Sequence, residues 1–167
     1  MKKKGNAAKY IFIILSAVVI VAAVVQRLYV TVQGEQWQEH HAAVERAMSE
    51  TELAAVSKIE TFRLAEEYTV IFGQDEDQRE LIVWVGENEI HAEYASAGVS
   101  AQEVAEAVKR KDSGAEILRI VPGKLGGDWV WEVFYKKKQE KGTRHYYDYY
   151  RFSDGQLLET YTLSLIR

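Results

Sequence analysis

The sequence carries the same order of structural signals twice, about sixty residues apart, and this repeat limits the folds that the chain can adopt. Along residues 37–48, mostly apolar side chains recur at spacings of four, three and four, which predicts a helix with one apolar face. Residues 100–111 predict a second helix, because Ser100 followed by Glu103 is a capping-box signature. The two helices match at an offset of sixty residues, Val44 and Met48 corresponding to Val104 and Val108.

Strand signals follow each predicted helix in the same order and are separated by turn residues. The predicted strands are 57–64, 68–73, 79–85 and 89–94 in the first copy, and 115–121, 128–135, 144–152 and 156–163 in the second. The charged segment 136–142 is expected to be a loop that lengthens the second copy. Copies of this size gain stability by packing on each other. We therefore predict an α+β fold with tandem domains at 35–95 and 99–165, each a helix packed on a roughly four-stranded antiparallel sheet.

An uncharged and almost wholly apolar run occupies residues 10–25, and residues 28–30 can extend it. With that extension the run is long enough to cross a bilayer as a helix. The alternative is a cleaved secretory signal, which requires small residues at a cleavage site. The residues after the run, Gln26, Arg27, Leu28 and Tyr29, do not provide such a site. We therefore predict an uncleaved transmembrane signal anchor at residues 10–30.

The charges that flank this run predict its orientation. Four lysines precede it, whereas a single arginine follows closely, and lysine-rich flanks stay in the cytoplasm. Residues 1–9 are therefore predicted to be a cytoplasmic tail, and the rest of a single-pass membrane protein to lie outside the cell. Removing those four lysines from the formal net charge of −4 leaves −8 for residues 10–167. An acidic body disfavours nucleic acid and anionic lipid as partners.

The stretch GGDWVWEVFY at residues 126–135 concentrates aromatic side chains in one predicted strand. Alternation places Trp129, Trp131, Val133 and Tyr135 on one face of that strand. We expect this face to fill a core beneath a helix, with an exposed aromatic platform as the alternative. The preceding glycines are expected to form a hairpin turn, because no helix follows them to complete a phosphate loop.

Residue types that carry catalysis or bind metals do not form a recognisable pattern. The chain has no cysteine, and its histidines lack the i, i+4 spacing of a helical zinc site. Ser100 is better explained as a helix cap than as a nucleophile. The acidic residues Glu66, Glu67 and 75–77 are expected to lie in solvated turns. We predict no catalytic residue, no cofactor and no metal site.

The segment HYYDYYRF at residues 145–152 has tyrosines on both faces of a predicted strand. A core on one side of the sheet cannot absorb all of them, so one face is expected to be exposed unless the sister copy covers it. Tyrosine is favoured at protein interfaces. The candidate partner-binding residues are therefore Tyr146, Tyr147, Tyr149 and Tyr150, with plain decoration of the sheet as the alternative.

Several ordered motifs together resemble the YpmB/TseB family of cell wall elongation regulators found in Bacillus and its relatives. They are the lysine-led apolar run, ETELAAV at 50–56, LIVWVGENEI at 81–90, GVSAQEVAEAV at 98–108 and WVWEVFY at 129–135. The resemblance implies two cystatin-like domains related to the PepSY group. It also implies a non-enzymatic accessory protein of sidewall synthesis that binds an elongation-type class B penicillin-binding protein. It supplies no matched functional residues.

Two other functions fit the same sequence features. A PepSY-like protein can inhibit an exported protease, or bind a peptide along a sheet edge as a sensor. A small cell wall hydrolase with a pocket between the two copies is the third hypothesis, although no local motif brings a nucleophile and a base together.

Overall fold

The computed structural model describes residues 40–140 and 142–163. In chain order these residues form α1 (40–50), β1 (Ala55–Arg63), β2 (Glu67–Gln74), β3 (Glu80–Val85), β4 (Ile90–Tyr94), a 3₁₀ turn (Ala95–Ala97), α2 (Ala101–Lys111), β5 (Glu116–Leu125), β6 (Asp128–Gln139), β7 (Gly142–Arg151) and β8 (Leu157–Leu163). The predicted tail at 1–9 and anchor at 10–30 lie outside the described residues. Within the described part, no helix combines the length and apolarity that crossing a membrane requires.

The eight strands form two antiparallel sheets whose strands follow the order of the chain, β1-β2-β3-β4 and β5-β6-β7-β8. The predicted α+β class and all eight predicted strands are confirmed. The copies also share a local irregularity, because the β1–β2 ladder shifts register between Val56 and Lys58, and the β5–β6 ladder between Ile117 and Arg119. The residue limits of the two domains stay a prediction, since both sheets lie within one compact unit that begins at Ala43.

Helix α1 covers one face of the first sheet with small apolar residues. Ala43 and Ala47 are buried against the side chains that alternate along β2 and β3, including Ile71 and Val83. Leu53, which follows the helix, completes this cluster. Burial of a leucine side chain such as Leu53 contributes roughly 1.5–3 kcal/mol to the free energy of folding. The face predicted to be buried, with His41, Val44 and Met48, is therefore wrong in part: His41 and Met48 are exposed and Val44 is partly buried, because the helix turns Ala43 and Ala47 to the sheet, and Trp37 lies outside the described residues.

Helix α2 begins as its sequence predicts. The Ser100 side chain accepts a hydrogen bond from the Glu103 amide, and the Glu103 carboxylate accepts one from the Ser100 amide. Lysine and arginine occupy the last turn, where positive charge interacts favourably with the helix dipole. Val104 and Val108 are fully buried against the second sheet. The capping box and the one-turn spacing of the valines are thus both confirmed.

Strands β5 and β6 both continue four residues beyond their predicted ends, to Leu125 and Gln139. At the tip of their hairpin, Leu125 pairs with Asp128, and Gly126 has φ 59°, a backbone angle that suits glycine. Strand β5 continues through Pro122 because it is an outer strand, where a missing amide hydrogen is tolerated. The predicted loop at 136–142 is wrong: residues up to Gln139 pair with β7, and Lys136 forms an ion pair with Glu116 at 2.9 Å.

The face of the first sheet that α1 leaves uncovered packs against the second copy. Phe62, Val70 and Trp84 are completely buried, in the same cluster as Val121 and Val130 of the second sheet. The Phe62 ring lies directly over Gly123, where no side chain intervenes. The expectation that the copies pack on each other is therefore met by one shared core.

Candidate functional site

The aromatic strand β6 contributes to two different parts of the core. Trp131, Val133 and Tyr135 are buried in the cluster that contains the valines of α2, which confirms the core-filling interpretation for these residues. The Trp131 indole donates to the Val99 carbonyl at 2.8 Å. The opposite face of β6 is buried as well, through Val130 and Glu132. An exposed aromatic platform on this strand is therefore excluded.

Trp129 lies at the junction of the two copies. Its ring stacks on His91 of β4 with 4.3 Å between centroids and an interplanar angle of 5°. Trp84 and Tyr68 of the first sheet are 5.1 Å and 5.8 Å away, the latter in edge-to-face contact. Such aromatic pairs add about 0.5–1.5 kcal/mol each beyond the burial of apolar area. Trp129 therefore helps to hold the copies together.

An ion pair closes the same junction at its rim. Lys124 of β5 donates to the Glu89 carboxylate, and its ammonium lies 5.1 Å from the Trp129 ring centroid. Tyr68 donates its hydroxyl to Glu66 and to Glu89. The hydrogen bonds from Lys124 and Tyr68 lower the pKa of Glu89, which keeps this carboxylate charged. Glu66 therefore takes part in a hydrogen-bonded cluster and is not merely a solvated turn residue.

Asp75 corrects the prediction of a solvated acidic loop at 75–77. Its side chain is only 4% exposed and accepts hydrogen bonds from the Asp77 and Arg79 amides at 3.0 and 2.9 Å. The Arg79 guanidinium and the Tyr94 hydroxyl also donate to it. Burial raises the pKa of Asp75, but these hydrogen bonds outweigh that effect and leave the pKa below its usual value. Asp75 organises the β2–β3 turn.

The tyrosine-rich strand β7 is buried on the face beneath α2 and partly buried on the other face. Tyr146, Tyr149 and Tyr150 are buried, and Tyr147 is half-buried. Tyr146 stacks on Tyr135 on the face beneath α2, whereas Tyr149 lies on the other face and donates to Glu132 at 2.8 Å. The expectation of an exposed face is therefore met only at Tyr147, since Tyr149 on the same face is buried against Glu132. Partner binding by these four tyrosines stays a prediction, and Tyr147 is the most accessible of them.

Two buried carboxylates were not singled out from the sequence. Asp148 is fully buried and is held by Lys111 at 3.0 Å and by Thr160 at 2.6 Å. Glu132 is nearly buried and lies on the opposite face of the sheet, 3.8 Å from Arg119. Burial raises the pKa of Glu132, and Tyr149 and Arg119 partly offset this. A charged residue at the centre of an otherwise apolar strand was the sequence signal that could have identified these two carboxylates. In the structure each carboxylate has its own cation, and the two carboxylates do not face each other.

The two histidines of the sheets lie in separate surroundings, while His40 and His41 are neighbours on α1. His91 stacks on Trp129, and His145 stacks on Phe134 at 5.5 Å between centroids. Across residues 40–140 and 142–163, no group of three or more histidine, aspartate or glutamate side chains could hold a metal ion.

Two of the open depressions in the described part of the chain are candidate binding surfaces. A cleft of about 790 Å³, which we call the junction cleft, lies between the first sheet and the start of α2. Its apolar lining includes Phe72, Ile82, Val99 and Trp131. A second depression of about 500 Å³, which we call the tyrosine groove, runs along the face of the second sheet away from α2. It is lined by residues that include Arg119, Glu132, Tyr147, Tyr149 and Tyr161.

The chain is similar to proteins of one family in sequence and in structure. Residues 42–86 match the family model described as the cell wall elongation regulator TseB-like domain. The Bacillus subtilis protein described as probable cell wall elongation regulator TseB is 31% identical over 166 residues, covering 97% of this chain and 99% of that protein.

A solved structure gives the same result at the level of the fold. The structure described as the YpmB protein from Bacillus subtilis is 31% identical in sequence and superposes with a TM-score of 0.66. The match covers 74% of this chain and 97% of that one. On the strength of a near full-length relative above 30% identity, the chain belongs to the TseB-like family of cell wall elongation regulators.

Proposed function

We propose that this protein is a membrane-anchored, non-enzymatic regulator of cell wall elongation that acts outside the cell by binding a wall-synthesis protein. The observation that carries the proposal is the near full-length similarity to a protein named as a probable cell wall elongation regulator. The resemblance drawn from the sequence supplies the partner, an elongation-type class B penicillin-binding protein. The organisation of the chain supports two cystatin-like domains, at 35–95 and 99–165, since each copy has a helix on a four-stranded sheet.

The proposed anchor at residues 10–30 makes weak binding sufficient. Two proteins held in one bilayer have a high effective concentration for each other, so a small ectodomain contact can be occupied at equilibrium. The acidic ectodomain suits a protein partner better than the anionic polymers of the wall, which it would repel. The role of the protein would therefore be to hold and position the synthase.

The tyrosine groove is the surface that we assign to the partner. It contains Tyr147, the most accessible of the four tyrosines predicted to bind a partner. Tyr147 stacks on Phe134 at 4.6 Å between centroids, which holds its ring in a defined position. An ordered aromatic ring beside Arg119 has the composition of interface hot spots, in which tyrosine and arginine are enriched.

Photo-crosslinking in intact cells tests both the partner and the surface. A photoreactive residue at Tyr147 of the full-length protein is expected to capture a class B penicillin-binding protein. The same residue at Lys109, on the exposed side of α2, is the matched control and should capture much less of it. Capture of an exported protease instead would favour the inhibitor or sensor hypothesis. If neither position captured a wall-synthesis protein, the proposed partner would be wrong.

A further inference from the structure

Strand β8 is an outer strand of the second sheet with unusually exposed apolar side chains. Within the described residues, β7 is the only strand that pairs with it. Leu157, Tyr161 and Leu163 are 38%, 47% and 46% exposed, and they are three of the six large apolar side chains that are exposed in the described part. An outer strand of this kind offers its unpaired backbone groups as a template for another strand.

The usual protections of an outer strand are missing from β8. Its sequence, LLETYTL, has no lysine, arginine or proline, and Glu159 is its single charged residue. Its pairing with β7 is regular from Glu159 to Leu163, so no bulge turns this part of the strand away from solvent. The other outer strands are less available, since β1 and β5 lie against each other and every residue of β4 is partly buried.

We propose that β8 pairs antiparallel with β8 of a second copy, about a two-fold axis that passes through Thr160. Glu159 then lies opposite the second copy's Tyr161, within the part of the strand that pairs regularly with β7. Leu157 and Leu163 lie at the two ends of the contact, and the register shift beside Leu157 falls outside the central pairs. Two four-stranded sheets become one sheet of eight strands, with the tyrosine grooves of both copies on the same side.

The side chains that meet across the axis favour this register over its neighbours. An axis through Glu159 would place two carboxylates directly opposite each other, which is destabilising in a sheet. An axis through Tyr161 would place Glu159 opposite Leu163, whose side chain has no hydrogen-bond donor. With the axis at Thr160, each Glu159 meets a tyrosine, and Tyr161 already donates its hydroxyl to Glu159 within one chain. The strand is therefore complementary to itself in one register.

The expected affinity is low. Pairing between two seven-residue strands buries less than the roughly 1,200 Å² of a standard stable interface. The dimer should therefore form at high local concentration and be missed in dilute solution. It does not depend on the proposed penicillin-binding partner, whose contact is assigned to Tyr147, although Tyr161 and Leu163 of β8 also line the tyrosine groove.

Disulfide trapping tests the register directly, because the chain has no cysteine of its own. Full-length proteins carrying either Glu159→Cys or Tyr161→Cys, with different affinity tags, are purified, mixed, brought to the high protein concentration that the dimer requires, and oxidised. The mixed pair lies directly opposite across the axis. Either variant alone places its two cysteines on a diagonal, roughly 7–8 Å apart. Cysteines whose Cα atoms are more than about 7 Å apart bridge poorly, so the mixed disulfide should exceed either homodimer at least about tenfold.

Leu163→Lys, added to both cysteine variants, provides the control. This exposed position tolerates the substitution in the folded chain, which an unchanged melting temperature would verify, while lysine at the outer edge should abolish the mixed disulfide. Equal crosslinking by a single variant, or no mixed disulfide in the folded protein, would overturn the proposal. Adducts in intact cells that contained only a different protein would assign β8 to that partner and would also overturn it.

Discussion

The contact between Phe62 and Gly123 allows the shared core to be tested by a pair of substitutions. Phe62 belongs to the first sheet and is fully buried. A Cβ atom built at Gly123 of the second sheet would lie 2.3–2.4 Å from three carbons of the Phe62 ring, which is far inside van der Waals contact. Each substitution alone should therefore destabilise the protein, by opposite mechanisms.

The expected magnitudes follow from packing. Phe62→Ala removes a buried ring and should cost about 3–5 kcal/mol. Gly123→Ala forces the ring to move and should cost about 1–3 kcal/mol. In the double variant the new methyl group occupies space that the ring has left, so the second substitution should cost little. The double-mutant cycle should then show a coupling of at least about 1 kcal/mol.

Denaturant unfolding of the full-length protein, followed by tryptophan fluorescence, measures these free energies. Trp84 and Trp129 lie in the shared core and should report its loss. Leu64→Ala is the matched control, because this side chain follows the same strand but is 46% exposed, and it should change stability by less than about 0.5 kcal/mol. Effects of the two core substitutions that add within about 0.5 kcal/mol would refute the packing of one copy on the other.

Three further predictions concern the polar groups. Asp75→Asn should lower the urea midpoint at pH 7. The folded-state pKa of Asp75 lies below its usual value, so the free energy that its charged carboxylate contributes to folding is fully present above the unfolded pKa of about 3.9. This stabilisation is lost as the pH falls through the folded-state pKa, so the stabilities of wild type and variant should converge in acid. Asp148→Ala should cost about 1.5–3 kcal/mol, because Lys111 and Thr160 lose a charged partner, and thermal unfolding checks this. Lys124→Ala should cost less than about 1 kcal/mol, with an effect that shrinks in high salt, since its ion pair with Glu89 is partly exposed.

Features that depend on neighbours along the chain were predictable from the sequence. The capping box of α2 and the glycine turn between β5 and β6 are decided by residues a few positions apart. The order of the strands could be predicted for the same reason, since short turns join each strand to the next. The repeat made the weaker strands predictable, because the same order of strands occurs in both copies.

Features that depend on residues far apart along the chain, within one copy or between the copies, could not be predicted. The burial of Tyr149 requires Glu132 from the neighbouring strand, and the role of Trp129 requires His91 from the other sheet. Asp75 looked like a solvated turn residue because Tyr94, nineteen positions later, is needed to explain its burial. The sequence accordingly placed the four candidate tyrosines on one strand, but the exposure of each side chain could not be predicted from it.

Co-purification of the full-length protein with the elongation-type class B penicillin-binding protein tests the central claim most directly. The account predicts that the complex survives Glu106→Gln, which removes an exposed carboxylate of α2, and Lys109→Glu, which adds a charge on the same helix, both remote from the tyrosine groove. It also predicts that Tyr147→Glu, shown to be folded by its melting temperature, loses the complex. Recovery of the synthase in equal amounts with Tyr147→Glu, or its absence with the unaltered protein, would contradict the account.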